Sequence, residues 1–242
     1  MKNYFFVVLI LMSNLIHCQS LDSLSTTKKI SYTPFYVSAG LVTTGALLLN
    51  TTINQDIQNK ADSRFGPNFH TQLDNVTVFV PMAQIYAGKL LGFEPKNNSK
   101  HQTISIITAN VLTYVLVTGL KNTVKANRPD DSDQLSFPSG HSAIAFTNAA
   151  LLFQEYKDSS IWYASSGFLF ATATGMLRIA NNKHYASDVL AGAGIGLATG
   201  FLVSYYNPLQ NLHFGKKNKG TALIYPQFGN QIGIGAIIRP NF

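Results

Sequence analysis

"SFPSGHSA", residues 136–143, is a loop that turns into a helix. Pro138 and Gly140 punctuate the backbone. Ser139 is an N-cap candidate, and the apolar Ala143-Ile144-Ala145-Phe146 carries the helix onward. A helix start offers free main-chain N–H groups and the positive end of the dipole, which suits phosphate or another anion. His141, beside such a site, can give or take a proton. Taken alone, the stretch is a plain cap followed by a surface histidine. What flanks it changes that reading.

The chain has 242 residues, enough for one domain and a targeting segment. Charged residues make up 12%, against roughly 25% in soluble domains. Hydrophobic residues make up 46%, an ordinary share. Low charge at ordinary hydrophobicity points to buried helices or a membrane-embedded bundle. The net charge of +7 suits anionic lipids or phosphorylated substrates. No dense Lys/Arg run with interleaved aromatics occurs, so nucleic acid is not an expected partner.

Residues 1–18 have the form of a signal peptide: Lys2, an apolar core over 4–12, then polar residues. A cut after Cys18 would remove the only cysteine. Lipidation of Cys18 is the alternative, and the bulky His17 before it argues against that.

Six charge-poor stretches follow, at 30–55, 76–93 (interrupted by Lys89), 101–120, 134–154, 159–177 and 189–215. Each is long enough for a helix, and several approach the ~20 residues needed to cross a bilayer. The expected fold class is therefore all-α, a six-helix bundle associated with a membrane. Gly192, Gly196 and Gly200 recur at spacing four, a face where another helix backbone can come close. Residues 54–75 read as a polar loop with a solvated His70. The tail at 221–242 reads as a small β-hairpin around Gly229-Asn230, packed on the helical body.

Upstream of 136–143 stands Lys121, then six residues, then Arg128-Pro129. Downstream, Arg178 is followed after five residues by His184, and after three more by Asp188. Lys121 and Arg128 close the third helix and the loop after it. Ser139 and His141 open the fourth, Arg178 closes the fifth, and His184 opens the sixth. In an antiparallel bundle with short loops these ends share one mouth. Lys121, Arg128 and Arg178 supply cationic donors for an oxyanion, and the backbone at Ser139 and Gly140 adds N–H groups. His184 and Asp188, at i and i+4, share a helix face. A carboxylate on one ring nitrogen leaves the other free to act as a nucleophile. His141 can protonate the leaving oxygen. The pattern points to phosphoryl transfer through a phosphohistidine. The nearby Asp130, Asp131, Asp133, Lys125, Asn127 and Lys183 read as solvated.

Lys-x6-Arg-Pro, Pro-Ser-Gly-His and Arg-x5-His-x3-Asp, in this order, resemble the type 2 phosphatidic acid phosphatase superfamily, which includes class A acid phosphatases and vanadium haloperoxidases. The resemblance covers residues 34–206. It implies a metal-independent phosphatase needing no cofactor, with His184 as nucleophile, Asp188 as its orienting partner and His141 as general acid. Lys121, Arg128, Ser139, Gly140 and Arg178 would bind phosphate. The family's third block begins Ser-Arg, and this chain has Leu177 before the arginine. The expected substrate is a lipid phosphomonoester or diphosphate: a polyprenyl diphosphate, phosphatidate, phosphatidylglycerophosphate or lipid A phosphate. The alternatives are a soluble periplasmic acid phosphatase acting on small phosphoesters and a non-catalytic membrane protein keeping the fold. The expected location is the bacterial cell envelope, with the site facing the periplasm. A cleaved leader followed by six full spans would instead turn the site inward, unless the leader stays as an anchor or the helices do not span.

Overall fold

The computed structural model describes residues 32–66, 69–206, 221–227 and 233–239. The leader read at 1–18 lies outside the described residues. From 33 to 206 the chain forms eight helices: α1 (Thr33–Leu48), α2 (Thr52–Phe65), α3 (Leu73–Thr77), α4 (Val80–Leu90), α5 (Ser99–Val124), α6 (Gly140–Tyr156), α7 (Ile161–Ala180) and α8 (Ala186–Tyr206).

The sequence reading gives six helices, and the two extra ones correct the polar loop assigned to 54–75. Most of that segment is α2 and α3. Thr51 caps α2, its Oγ1 accepting from the Asn54 N–H at 3.3 Å. The residues α2 buries are polar, Asn54 and Gln58. It therefore shows no apolar stripe by which a helix is ordinarily recognised. The single helix read over 30–55 is also two helices. Asn50 takes a left-handed φ of 62°, and α1 and α2 meet at a 90° bend.

Among the described residues, α5 and α8 are long and apolar enough to cross a membrane, or three spans exist if bent α1–α2 counts as one. The two differ in surroundings: 22% of the apolar window of α5 is buried, against 72% for α8. Outward on α5 stand Ile107, Val111, Tyr114 and Val115, at i, i+4, i+7 and i+8, one face of the helix. That is the stripe a lipid-contacting helix presents.

α8 lies against α6 and α1. A Cβ on Gly192, Gly196 or Gly200 would collide with the main-chain oxygens of Ser139, Ala143 and Thr147, one turn of α6 after another. The glycines let the two backbones approach directly and fix the start of α8 beside the start of α6. The Ser139 N–H donates to the Asp188 main-chain oxygen at 2.9 Å there.

Polar residues inside the helices pair with one another. The hydroxyls of Thr113, Thr147 and Thr199 lie 2.6 to 3.2 Å apart, and the amides of Asn110 and Asn148 exchange bonds at 3.0 and 3.1 Å. Interhelical bonds of this kind let a bundle hold Thr and Asn away from water. The largest apolar cluster, with Ile85, Ile106, Leu151, Leu152 and Tyr156, gathers toward the C-terminal end of α6. At 1.5 Å per residue this end is about 25 Å from the start of α6.

β1 (Thr221–Gln227) pairs antiparallel with β2 (Gly233–Arg239), Thr221 opposite Arg239. The turn at Gly229-Asn230 and the expected packing of the tail on the helices lie outside the described residues.

Candidate active site

The mouth of the bundle is held together by bonds between helix ends. Lys121, in the last turn of α5, donates through Nζ to the main-chain oxygens of Leu135 and Ser136, the latter at 3.2 Å. Arg128 donates through NH1 to the Lys183 oxygen at 3.3 Å. The His184 N–H turns back to the Arg178 oxygen at 3.3 Å. The three sequence blocks therefore meet.

His184 is 2% exposed and Asp188 fully buried. Their closest approach is His184 Nδ1 to Asp188 Oδ2, at 3.5 Å. That carboxylate oxygen also accepts from the Ser136 hydroxyl at 2.5 Å and the Tyr185 N–H at 2.9 Å. The other accepts from the Ser187 hydroxyl at 3.1 Å. Ser187 exchanges two bonds with the Asn54 amide, at 2.9 and 3.0 Å. Gln58, one turn further along α2, donates to Ile179 O and Asn182 Oδ1. Polar α2 is thus a brace for the α7–α8 turn and for Asp188.

Burial pushes the His184 imidazole from its ordinary 6.5 down to about 4, with Asp188 opposing and Arg178 and Lys121 reinforcing the shift. At neutral pH the ring is therefore uncharged. The folded state disfavours protonation, so this contribution to stability is complete above pH 6.5 and is lost as pH falls through about 4. We expect the thermal midpoint of the wild type in detergent to converge on that of His184→Gln across this window. A gap of constant size from pH 7 to pH 4 would contradict a depressed His184.

The cations are spoken for unequally. Arg128 Nε pairs with Asp133 Oδ1 at 2.7 Å, and Lys183 Nζ with Asp130 Oδ2 at 2.5 Å. Asp130, Asp133 and Lys183, read as solvated, are thus ion-paired as well; Asp133 stays exposed, and Asp130 and Lys183 are partly exposed. The turn brings a cation close to Asp130 and to Asp133. Arg178 is buried, gives NH1 to Asp74 Oδ2 at 2.6 Å, and keeps a buried Nε with no partner among the described residues.

Ser139 caps α6, its Oγ accepting from the Ser142 N–H at 3.4 Å. Its own N–H is committed to Asp188 O, which leaves Gly140 and His141 as the first-turn N–H groups that precede the helix's own ladder. His141 is half-buried and holds the Asn75 Oδ1 by Nε2 at 2.9 Å. Burial lowers its proton affinity, as do the Arg178, Arg128 and Lys121 charges, while Asp74 opposes them.

Ser136, Asp74 and Asn75 were missed in the sequence. Ser136 sits inside the quoted stretch, and its role shows only once Asp188 is folded against it. Asp74 and Asn75 carry no motif, being two polar residues in a polar segment. Among the described residues no group of three or more His, Cys, Asp or Glu is placed to hold a metal ion.

Residues 102–211 match the family model of the PAP2 superfamily, a span that contains all three motif blocks. The chain is 37% identical over 188 residues to a lipid A 1-phosphatase of Porphyromonas gingivalis, an alignment covering 73% of this chain and 41% of that protein. The chain thus spans less than half the length of this relative. The Aquifex aeolicus LpxE crystal structure superposes with a TM-score of 0.50 at 23% identity, over 65% of this chain and 98% of that one. A transmembrane PAP2-type phosphatidylglycerolphosphate phosphatase from Bacillus subtilis gives 0.52 at 20% identity, over 76% and 100%. These two show the fold. Residues 102–211, which carry the three motif blocks, are thus similar to the PAP2 superfamily.

Proposed function

We propose that this protein is a membrane-associated phosphatase that hydrolyses a lipid phosphomonoester or diphosphate through a phosphohistidine. The observation that carries the reading is the buried, uncharged His184 backed by Asp188 at a mouth shared by Lys121, Arg128 and Arg178. His184 Nε2 attacks phosphorus while Nδ1–H faces Asp188. The bond from phosphorus to the leaving oxygen breaks, and that oxygen takes a proton from His141. Water then attacks the phosphohistidine, His141 takes its proton, and phosphate leaves with His184 restored. The imidazolium formed on attack is balanced by the Asp188 carboxylate. Burial and the Arg178, Arg128 and Lys121 charges lower the proton affinity of His141, and a phosphate dianion offsets those charges and so favours the protonated ring.

A lipid substrate is supported by the outward apolar stripe of α5 and by the named substrate of the Porphyromonas relative. An apolar groove of about 220 Å³ lies between α2 and α7, lined by Ala61, Phe65, Met176, Leu177, Ile179 and Ala180. Leu177, which stands where the family has serine, contributes to this apolar groove. We place the site on the periplasmic side of a bacterial envelope membrane. The test is phosphate release by the detergent-purified chain with EDTA present, on lipid A 1-phosphate, phosphatidate, a polyprenyl diphosphate and small phosphoesters. Release from a lipid is the expected result. Preference for small phosphoesters would overturn the lipid assignment, and loss of all release in EDTA the metal-free mechanism.

A further inference from the structure

The short helix α3 lies outside the family-matched segment, yet its two adjacent polar residues bond to two members of the candidate machinery, Arg178 and His141. Asp74, 1% exposed, holds Arg178 NH1 at 2.6 Å. Asn75, itself exposed, holds His141 Nε2 at 2.9 Å. The segment is tied along one face of α7. Thr174 donates to Thr77 at 2.8 Å, and Asn181 exchanges bonds with the Thr71 backbone at 2.9 Å. Thr174, Arg178 and Asn181 stand at i, i+4 and i+7, and their partners Thr77, Asp74 and Thr71 run the other way, so the segment is laid antiparallel to the end of α7 and cannot slide without losing three sets of bonds.

Two atoms show what this arrangement leaves open. Arg178 Nε and Asp74 Oδ1 are both buried without a hydrogen-bond partner among the described residues. A buried guanidinium N–H without a partner is costly, and it is tolerated where a ligand oxygen will complete it. With NH1 fixed by Asp74, the rest of the planar fork has one orientation.

We propose that α3 is a positioning element of the phosphate site, in which Asp74 aims Arg178 and trims the positive charge seen by the anion, and Asn75 holds His141 in the pose from which it transfers its proton. The inference rests on the phosphatase reading for the role of His141, and its anion-binding half stands independently of turnover. The charged groups that act on His141 are Asp74 on α3, Lys121 on α5, Arg128 in the loop after it, and Arg178 on α7. Asn75 is the neutral partner among them, which makes it the position where one added charge is read most directly.

The experiment uses the detergent-purified full chain. Inorganic phosphate affinity is measured from the ligand-induced shift in thermal midpoint, and kcat and KM are followed against pH. Asp74→Asn keeps an oxygen acceptor for Arg178 and removes the charge, so phosphate binds tighter by about threefold or more. Asp74→Ala removes the aim as well, and phosphate binds more weakly than in the wild type. Asn75→Asp sets a carboxylate against His141 and moves the basic limb of the kcat profile up by about one pH unit. The direction follows because a general acid is lost as pH rises through its pKa, and an anion raises that pKa. Folded Asp74 variants with wild-type phosphate affinity would overturn the inference, as would an Asn75→Asp profile with an unmoved limb. If the Asp74 variants do not fold, the exposed Asn75 decides alone. If the wild type releases no phosphate from any substrate, the phosphatase reading falls while the phosphate affinities still decide the Asp74 half.

Discussion

Under the proposed mechanism, His184→Ala lowers kcat for phosphate release by at least about a thousandfold, because it removes the group that would form the covalent intermediate. The substitution leaves Asp188 with its bonds from Ser136, Tyr185 and Ser187. Asp188 therefore stays in place, and the fold is not expected to open. The loss is expected in kcat with little change in KM, since the proposed phosphate-binding residues Lys121, Arg128 and Arg178 are untouched. Two measurements separate this from a misfolded protein. Rapid acid or base quench during turnover of a labelled substrate traps a base-stable, acid-labile phosphoenzyme in the wild type and none in the variant. Free imidazole diffusing into the vacated space restores part of the rate. Full activity in His184→Ala would remove the phosphohistidine mechanism and leave the three motifs as inherited scaffold.

Asp188→Asn costs about a hundredfold to ten-thousandfold in kcat, by analogy with other carboxylate–histidine pairs. Asn has nearly the same shape, so steric change is minor. Its amide nitrogen, however, presents donors where the carboxylate accepts from Ser136, Tyr185 and Ser187. His184 is left facing a neutral group. The tautomer with the proton on Nδ1 is no longer favoured, and the charge that forms on the ring during attack has no counter-ion. Since Asp188 is fully buried, the variant also loses stability, and its thermal midpoint is to be measured beside kcat. A folded Asp188→Asn protein with wild-type kcat would show that the 3.5 Å approach to His184 has no catalytic weight.

Much of the site was legible in the sequence because it is written at helix ends. A proline, a serine cap and a histidine at 138–141 mark the start of one helix. Arg178, His184 and Asp188 bracket the turn between two others. Alternation of apolar runs and polar ends requires only local geometry, 3.6 residues per turn and short connections, to bring those ends together. The glycine spacing in α8 was equally local, and it names the face that meets α6. The location of the mouth, its cationic lining and the i, i+4 pairing of His184 with Asp188 were therefore determined by the sequence itself.

The tertiary structure decided what the polar segment 54–75 does. Asn54, Gln58, Asp74 and Asn75 have no period and no motif, and each acts across a gap of 66 or more residues: on Ser187, Asn182, Arg178 and His141. Such bonds depend on which surfaces the bundle brings together, and nothing in the local sequence encodes it. The same holds for Ser136, whose neighbours suggest a loop residue and whose partner, Asp188, lies 52 positions away. The acids of the 130–133 loop read as solvated because single-residue propensity places them in water; the fold adds Arg128 as a partner for Asp133 and Lys183 for Asp130. Apolar periodicity reports burial against a hydrophobic core. Here the braces of the site are buried by hydrogen bonding, which leaves no periodic trace, and only the assembled bundle shows them.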